Sequence, residues 1–335
     1  MSVEKKLTRR DFLKVSAMAV VAAAVQACAK ATPTPAPTKP PEPTKPVAVA
    51  PTATPKPAEP TATPKPAAPT ATPVPAKPKY KEAPMLADLV KAGKLPPVED
   101  RLPQDPAVIK PLQEIGQYGG TWRIVTVGLG DLGGQMSRVV QYDGLVLMGP
   151  DGASVIPDVV SKWDISDNSS TFTFFLRKGV KWCDGQPFTA DDFVFWYEDA
   201  LMNKELTTAI SAMWKVKGEP IKVEKVDAYT FRCKFVGPYA LFPIILATNP
   251  GSMITPAHYG KTFHSKYAKK EDLDKMVKDA KFERWDQLYN AKLSGNYLRD
   301  NPDVPTIFPW KYVQAPPETT QIWERNPYYW KVDTA

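Results

Sequence analysis

Residues 163–197, WDISDNSSTFTFFLRKGVKWCDGQPFTADDFVFWY, constrain the fold of this chain more than any other stretch. From Thr171 to Arg177, aromatic and leucine side chains alternate with polar ones, which predicts a half-buried strand. The polar run at 166–170 predicts a loop that folds this strand back onto the apolar residues 163–165. The stretch therefore predicts an antiparallel hairpin.

A tight turn and the start of a helix follow the hairpin. Residues 184–187, Asp-Gly-Gln-Pro, favour a turn because Asp and Gly tolerate left-handed geometry and Pro blocks further strand pairing. Thr189 predicts an N-cap, and Asp192 three residues later predicts a capping box with Asp in place of Glu. Apolar residues at helical spacing then predict the buried face: Phe193, Trp196, Tyr197, Ala200 and Leu201.

This order of elements and residues resembles the signature of the family 5 solute-binding proteins, the oligopeptide and dipeptide binding components of ABC importers. The sequence departs from the family pattern at Cys183 and Phe193. The resemblance implies an α/β fold of the periplasmic-binding-protein type, type II, in the family's three-subdomain form. The residues in register are Trp163, Ser166, Asp167, Thr171, Thr173, Phe174, Leu176, Arg177, Gly179, Val180, Lys181, Asp184, Gly185, Pro187, Phe188, Thr189, Ala190 and Asp192.

Other segments resemble the same family. Residues 119–127 resemble its first strand, and residues 139–146 resemble its step into the small lobe. Residues 221–226 and 229–235 predict a strand pair like the family's, and residues 271–292 predict two helices. Residues 319–330 resemble the motif that stands at the crossing into the second large lobe.

The resemblance also implies a division into lobes. It assigns residues 118–142 and 246–325 to the near large lobe and residues 143–245 to the small lobe. Family members are considerably longer, so residues 85–335 are expected to be the N-terminal part of a solute-binding domain, truncated before the far lobe. Residues 85–117 predict one short helix and an extended arm interrupted by proline.

The N-terminal residues 1–28 predict an export signal. Arg9 and Arg10 form a twin-arginine motif, and an apolar run follows that is shorter than the ~20 residues needed to span a bilayer. Residues 25–28 resemble a lipobox in which Cys28 would carry the lipid, although Gln26 is unusual there. Cleavage by an ordinary signal peptidase is the alternative.

Residues 29–84 predict a disordered linker rich in Pro, Thr, Ala and Lys. Roughly half of the 37 prolines lie in this segment, and such a composition favours solvated polyproline structure. The first 84 residues contain 13 Lys and Arg against 5 acidic residues, a surplus of 8, so the total of +7 leaves −1 for residues 85–335. The basic balance therefore belongs to the leader and linker, and it does not indicate a nucleic-acid partner.

The sequence offers no convincing set of catalytic or metal-binding residues. His258 and His264 are the two histidines, and their spacing suits neither a zinc pair on a helix nor a catalytic arrangement. Residues 128–133 spell G-x-G-x-x-G, but the antiparallel-type strands that follow argue against a dinucleotide site. Cys183 and Cys233 are expected to be buried free thiols, with a disulfide as the alternative. We expect no enzyme activity, no cofactor and no metal.

A binding cleft uses aromatic side chains and loop backbone groups. By analogy with the family's near lobe, the candidates are Gly130, Asp131, Leu132, Tyr142, Trp214 and Phe242; a core position is the alternative for each and is favoured for Phe242. Trp310 and Trp330 are assigned to packing.

The resemblance implies a monomeric lipoprotein held outside the cytoplasmic membrane, in the periplasm or on the cell surface. Its solute would be an oligopeptide, with an oligosaccharide as the alternative, and its partners would be the transmembrane subunits of an ABC permease. An exported enzyme or a surface structural protein would require the signature to be accidental.

Replacing Cys28 with Ser tests the anchor. If Cys28 carries the lipid, Cys28→Ser is expected to move the protein from the membrane fraction to the soluble extracytoplasmic fraction, because the acyl chains supply the attachment. Fractionation and immunoblotting measure this, with Cys183→Ser as the matched control. Unchanged membrane association of Cys28→Ser would contradict lipidation.

Overall fold

The computed structural model describes residues 80–125, 128, 141–293, 301–314 and 320–334. These residues all lie in one unit, Pro73–Ala335. Within the described ranges the elements in chain order are α1 (Pro84–Lys91), α2 (Val98–Arg101), β1 (Ala107–Ile109), β2 (Val146–Met148), β3 (Val155–Pro157), β4 (Val160–Ser166), β5 (Thr171–Leu176), α3 (Ala190–Phe195), β6 (Lys215–Val216), β7 (Glu219–Pro220), β8 (Lys222–Asp227), β9 (Thr230–Lys234), α4 (Phe242–Thr248), α5 (Ala257–Gly260), α6 (Lys270–Asp279), α7 (Trp285–Leu293), β10 (Trp310–Gln314), β11 (Ile322–Arg325) and β12 (Lys331–Asp333).

A four-stranded antiparallel sheet with the order β4-β5-β9-β8 contains both predicted strand pairs. Phe174 lies opposite Trp163 on one side and Phe231 on the other. The loop between β4 and β5 contains Asp167 and Asn168, both at a φ of 53°, a conformation that these residue types adopt more readily than most. The predicted hairpin and the second strand pair are therefore confirmed.

One face of this sheet forms the main core. Phe172 and Phe174 of β5 and Phe231 of β9 are fully buried. The ring of Phe193 stacks on Phe231 with centroids 4.1 Å apart, and Phe231 in turn stacks on Phe174 at 5.2 Å. These contacts fix α3 against the sheet.

The predicted capping box at the start of α3 is present. Thr189 Oγ1 accepts from Asp191 N at 3.3 Å, and Asp192 Oδ2 accepts from Thr189 N at 2.9 Å. The second carboxylate oxygen of Asp192 accepts from Ala257 N at 2.9 Å, a contact to α5 that the sequence did not predict. Burial raises the pKa of Asp192 to about 6. The predicted helix continues past Phe195 as a π-helical turn, Trp196–Leu201.

The two helices predicted at 271–292 are confirmed as α6 and α7. Leu273 and Val277 of α6 pack against Leu288 of α7 in a small separate core. His264 is buried beside this insert, where Nδ1 accepts from Lys266 N at 3.1 Å and Nε2 faces Asp199 O at 3.0 Å. Both ring nitrogens are thus engaged by the backbone, which makes this histidine a structural residue.

The N-terminal arm is attached to the domain through Arg101. This buried guanidinium contacts both carboxylate oxygens of Glu82 at 2.5 Å, donates to Pro96 O at 2.9 Å and also donates to Pro327 O. Glu82 was predicted to belong to the linker, so the ordered arm begins earlier than expected. The predicted short helix is confirmed as α1, but the arm that was expected to be extended also contains the second helix α2.

The strand predicted at 119–127 is not formed over residues 119–125, and 126–127 lie outside the described residues. Trp122 is 73 % exposed there, and Val125 is also exposed. The prediction was wrong for the described part because a strand needs a ladder partner, and none lies beside these residues within the ranges that the structure covers.

Short strand pairs complete the fold. β1 pairs with β12 in parallel, β2 with β3, β6 with β7 and β10 with β11 as antiparallel pairs. Across the portions of the chain described above, no helix is long and apolar enough to cross a bilayer.

Replacing Phe231 with Ala is expected to lower the free energy of unfolding by about 3–5 kcal/mol, because it removes the ring between Phe174 and Phe193. The control Val226→Ala, at a half-exposed site on neighbouring β8, is expected to cost less than about 1 kcal/mol. Urea denaturation followed by circular dichroism measures both. Equal losses would contradict the central role of Phe231.

Candidate functional site

Cys183 in the turn after the signature hairpin holds a distant loop at 304–309. Its backbone N donates to Thr306 O at 2.9 Å, and its Sγ accepts from Thr306 N at 3.3 Å. Burial raises the pKa of the Cys183 thiol, so it remains a neutral thiol that packs and accepts rather than a nucleophile. Cys183 and the buried Cys233 are both free, as predicted, although Cys183 is only partly buried.

Asn326 holds the same loop from the other side. Its Nδ2 donates to Phe308 O at 2.9 Å, its backbone N donates to Pro309 O at 2.8 Å, and its Oδ1 accepts from Tyr328 N at 2.8 Å. The side chain is almost fully buried. The Asn-Pro turn is therefore a structural junction that fixes the loop before β10.

Tyr328 covers the tight turn at Gly185. Gly185 has a φ of +88°, and a Cβ at this position would lie 2.9 Å from Tyr328 Oη. The turn thus requires glycine for its backbone conformation and for the close approach of the tyrosine ring.

The β10–β11 hairpin presents aromatic side chains beside the loop that Cys183 and Asn326 hold. Tyr312 and Trp323 stack with centroids 4.6 Å apart and planes 7° from parallel. Trp310 is 42 % exposed, which corrects its assignment to packing, whereas Trp330 is fully buried as expected. A small cavity with a volume of about 10 Å³ lies here, lined by Gln141, Asn301, Val304, Thr306, Phe308, Trp310, Tyr312 and Trp323. We call this set the aromatic wall.

Tyr142 directly follows Gln141 of the wall in the sequence. It lies beside a buried cluster of charged side chains. Lys331 Nζ lies 2.5 Å from Asp143 Oδ1 and 2.5 Å from Asp158 Oδ1. Burial raises the pKa of the Asp143 carboxyl, and the charge of Lys331 opposes that shift. Tyr142 itself is partly exposed, with its ring centroid 5.6 Å from Lys331 Nζ.

The candidate residues predicted from the sequence differ in how far they are buried. Tyr142 is partly exposed and directly follows Gln141 of the wall, whereas Phe242 is fully buried and Trp214 is nearly so. Both pack in the main core, where Phe242 contacts Phe172 and Trp214, so they fill the core and have no surface for a solute. Gly130, Asp131 and Leu132 lie outside the described residues, as do Arg9, Arg10 and Cys28.

The aromatic wall was missed because aromatic residue type alone does not reveal exposure. A usable signal existed in the alternation of residues 310–314, where Trp310 and Tyr312 fall on one face and Lys311 and Val313 on the other. Whether Trp310 is exposed depends on which other elements pack against its strand. The residues around Trp310 do not reveal those elements.

His258 and Asp184 lie in contact at the end of the signature turn. His258 Nε2 lies 2.7 Å from Asp184 Oδ2 at the surface, and the histidine contact helps to lower the pKa of Asp184. Among the residues that the structure covers, no group of three or more His, Cys, Asp or Glu side chains is arranged to hold a metal ion.

The family of bacterial extracellular solute-binding proteins, family 5 (middle), matches residues 154–335, more than half of the chain. The chain belongs to this family. The resemblance inferred from residues 163–192 is thereby confirmed, as is the α/β fold of the periplasmic-binding-protein type. The family consists of extracytoplasmic solute-binding proteins.

Three relatives show how much of such a protein the chain represents. It is 30 % identical over 280 residues to the periplasmic alpha-galactoside-binding protein of Rhizobium meliloti (strain 1021), covering 77 % of this chain and 37 % of the relative. A structure of the oligopeptide-binding protein OppA matches with 40 % identity and a TM-score of 0.70, covering 76 % of this chain and 39 % of that protein. The structure of the periplasmic binding protein MelB from Agrobacterium fabrum C58 in complex with stachyose matches with 26 % identity and a TM-score of 0.53, covering 77 % and 39 %. The chain thus spans less than two fifths of the length of each of these relatives.

Replacing Gly185 with Ala is expected to destabilise the fold by about 1–3 kcal/mol, because the methyl group would meet Tyr328 and the left-handed backbone would be strained. Gly218→Ala is the matched control, since Gly218 has a φ of +85° but nothing within 4 Å of the added Cβ. Thermal and urea denaturation measure the difference. A loss at Gly185 no larger than that at Gly218 would show that contact with Tyr328 is unimportant.

Proposed function

We propose that this chain supplies one wall of a solute-binding cleft, and that the protein captures oligopeptides outside the cytoplasmic membrane and delivers them to the transmembrane subunits of an ABC importer. Membership of the family, with 40 % identity to the oligopeptide-binding protein OppA, carries this proposal. The chain acts as a binding protein without catalytic activity. Capture requires two lobes to close around the solute, which is hinge closure driven by ligand contacts.

The aromatic wall supplies the contacts on this side of the cleft. Exposed Trp310 and partly exposed Tyr142 offer flat apolar surface, and Gln141, which precedes Tyr142 in the chain and lines the same cavity as Trp310, offers an amide that can donate and accept hydrogen bonds. Hydrogen bonds that join the side chains of Cys183 and Asn326 to the backbone hold the loop before β10 in place. Such preorganisation lowers the entropy cost of binding.

An oligosaccharide is the second candidate solute. Aromatic faces beside amide groups suit sugar rings as well as peptide side chains. The relatives include a periplasmic alpha-galactoside-binding protein and a structure in complex with stachyose, which supports this alternative.

Export and attachment complete the proposal. Arg9 and Arg10 direct the protein to the twin-arginine pathway, and Cys28 anchors it by lipid to the outer face of the cytoplasmic membrane. Residues 29–84 then act as an extended tether between the lipid and the binding domain. The protein works as a monomer with its permease.

Ligand-observed NMR at millimolar solute tests the assignment of the solute, using one panel of short peptides and one panel of α-galactosides that includes stachyose. We expect peptides to bind and the signal to fall strongly in Trp310→Ala, because the exposed indole is the main apolar contact. Leu112→Ala, at a nearly fully exposed residue that is not part of the aromatic wall, is the control. Binding of the galactosides alone would favour the sugar alternative, and binding of neither panel would contradict the proposal.

Residues 85–335 alone are expected to bind solute weakly, because a single wall leaves one side of the ligand in water and cannot exclude it. Isothermal titration calorimetry measures the affinity. A sub-micromolar dissociation constant would overturn the view that this part supplies only one wall.

A further inference from the structure

Asn301 lies where the helical part of the chain meets the aromatic wall. Its side chain is buried, and it lines the small cavity that Trp310, Tyr312 and Trp323 also line. Residues 294–300, between α7 and Asn301, lie outside the described residues. The side-chain contacts of Asn301 therefore show how it is connected to the helices that precede it.

Both N–H groups and the carbonyl oxygen of the Asn301 amide are engaged. Its Nδ2 donates to Tyr259 Oη at 2.9 Å and to Lys292 O at 3.1 Å, and its Oδ1 accepts from Asp303 N at 3.1 Å. A backbone carbonyl can only accept and a backbone N–H can only donate, so these partners fix which way the amide points. An Asp at this position would lack both donors and would place a carboxylate against the Lys292 carbonyl.

The contact with Lys292 O caps the end of α7. This helix ends at Leu293, and carbonyl groups in the last turn of a helix lack intrahelical donors. The amide of Asn301 supplies a donor from outside the helix. Asn301 is therefore held at a fixed position relative to the end of α7.

The other acceptor, Tyr259 of α5, is held by the same small core as the end of α7. Tyr259 packs against the cluster that contains Phe195 of α3 and Leu293 of α7. The packing is close, since a Cβ at Gly260 would lie 2.7 Å from Phe195 Cε1. Burial raises the pKa of Tyr259, so its hydroxyl is neutral. Hydrophobic packing thus fixes the two acceptors of Asn301 relative to each other.

The loop that follows Asn301 connects it to the wall. The buried residues of this loop are Val304, Thr306, Ile307 and Phe308. A close-packed segment has few alternative arrangements, so a displacement at one end is transmitted along it. β10 begins directly after this loop, at Trp310.

We propose that Asn301 is a positioning residue through which α5 and α7 set the geometry of the aromatic wall, and thereby its affinity for a solute. In this role the amide holds the loop before β10 against the end of α7 and against Tyr259, and it acts on the solute through Trp310. Cys183 and Asn326 hold the same loop at other points, whereas Asn301 connects it to the helices. The role in affinity rests on the proposed function, but the effect on the wall does not.

Fluorine NMR of the 335-residue chain labelled with fluorotryptophan tests this coupling without solute, with the two wall signals assigned from Trp310→Phe and Trp323→Phe. We expect Asn301→Asp to shift or broaden both signals, because the carboxylate cannot donate to Lys292 O. Tyr259→Phe is expected to shift the same signals less, since it removes one of the two acceptors and keeps the ring. It also changes no charge, and it decides the question if Asn301→Asp fails to fold.

Tyr267→Phe is the matched control. The Tyr267 hydroxyl also makes a hydrogen bond, donating to Asp199 Oδ2 at 2.6 Å, but Tyr267 does not line the wall cavity. This variant is expected to leave both fluorine signals unchanged. Wall signals that Tyr259→Phe leaves unchanged, or that Tyr267→Phe shifts equally, would overturn the coupling.

The second measurement is the dissociation constant for the solute panel that binds, obtained by ligand-observed NMR. We expect Tyr259→Phe to raise this constant about 2- to 10-fold, the range that corresponds to loss of one hydrogen bond, while circular dichroism shows the same folded fraction. An unchanged constant alongside shifted fluorine signals would refute the role in affinity. Absence of binding to the unmodified chain would instead contradict the proposed function, and the fluorine measurement would still decide whether Asn301 couples the helices to the wall.

Discussion

The stacking of Phe193 on Phe231 is the interaction on which the rest of the structure depends. It presses α3 onto the sheet β4-β5-β9-β8, and α3 carries Asp192 at its first turn. Asp192 is then positioned to accept from Ala257 N, which attaches α5 and the helical insert that follows it. A hydrophobic contact without directional preference thus determines where directional hydrogen bonds can form.

The position of the loop before β10 is likewise determined by contacts with the signature turn. The tight turn at Gly185 leaves Cys183 beside Thr306, and their two hydrogen bonds connect segments 123 residues apart. Asn326 closes the loop from its other side. The aromatic wall is therefore a consequence of the signature turn, even though the wall lies far from it in the sequence.

Local patterns revealed the elements but not their junctions. The alternation in β5 and the capping box at Thr189 could be predicted because each depends on residues within a few positions. The contact between Asp192 and Ala257 spans 65 residues and has no local signal. The strand expected at 119–125 failed for the same reason, since a strand exists only where a second strand lies beside it.

The candidate site shows the same difference between what local sequence patterns predict and what long-range packing decides. Tyr142, a candidate from family likeness, is partly exposed, whereas Trp214 and Phe242 proved to be core and the exposed Trp310 had been assigned to packing. Each is a large aromatic residue, and the energy of burying such a ring is similar in a core or against a ligand. Sequence can name the rings but cannot distinguish these two environments.

The parallel pairing of β1 with β12 has a mechanical consequence. The register Ala107 with Lys331 and Ile109 with Asp333 brings the incoming arm alongside the last strand. A pull toward the N-terminus on β1 and toward the C-terminus on β12 would slide the strands past each other, so their hydrogen bonds would carry the load together instead of opening one by one. A force applied along the arm would therefore meet a strand pair that resists shear.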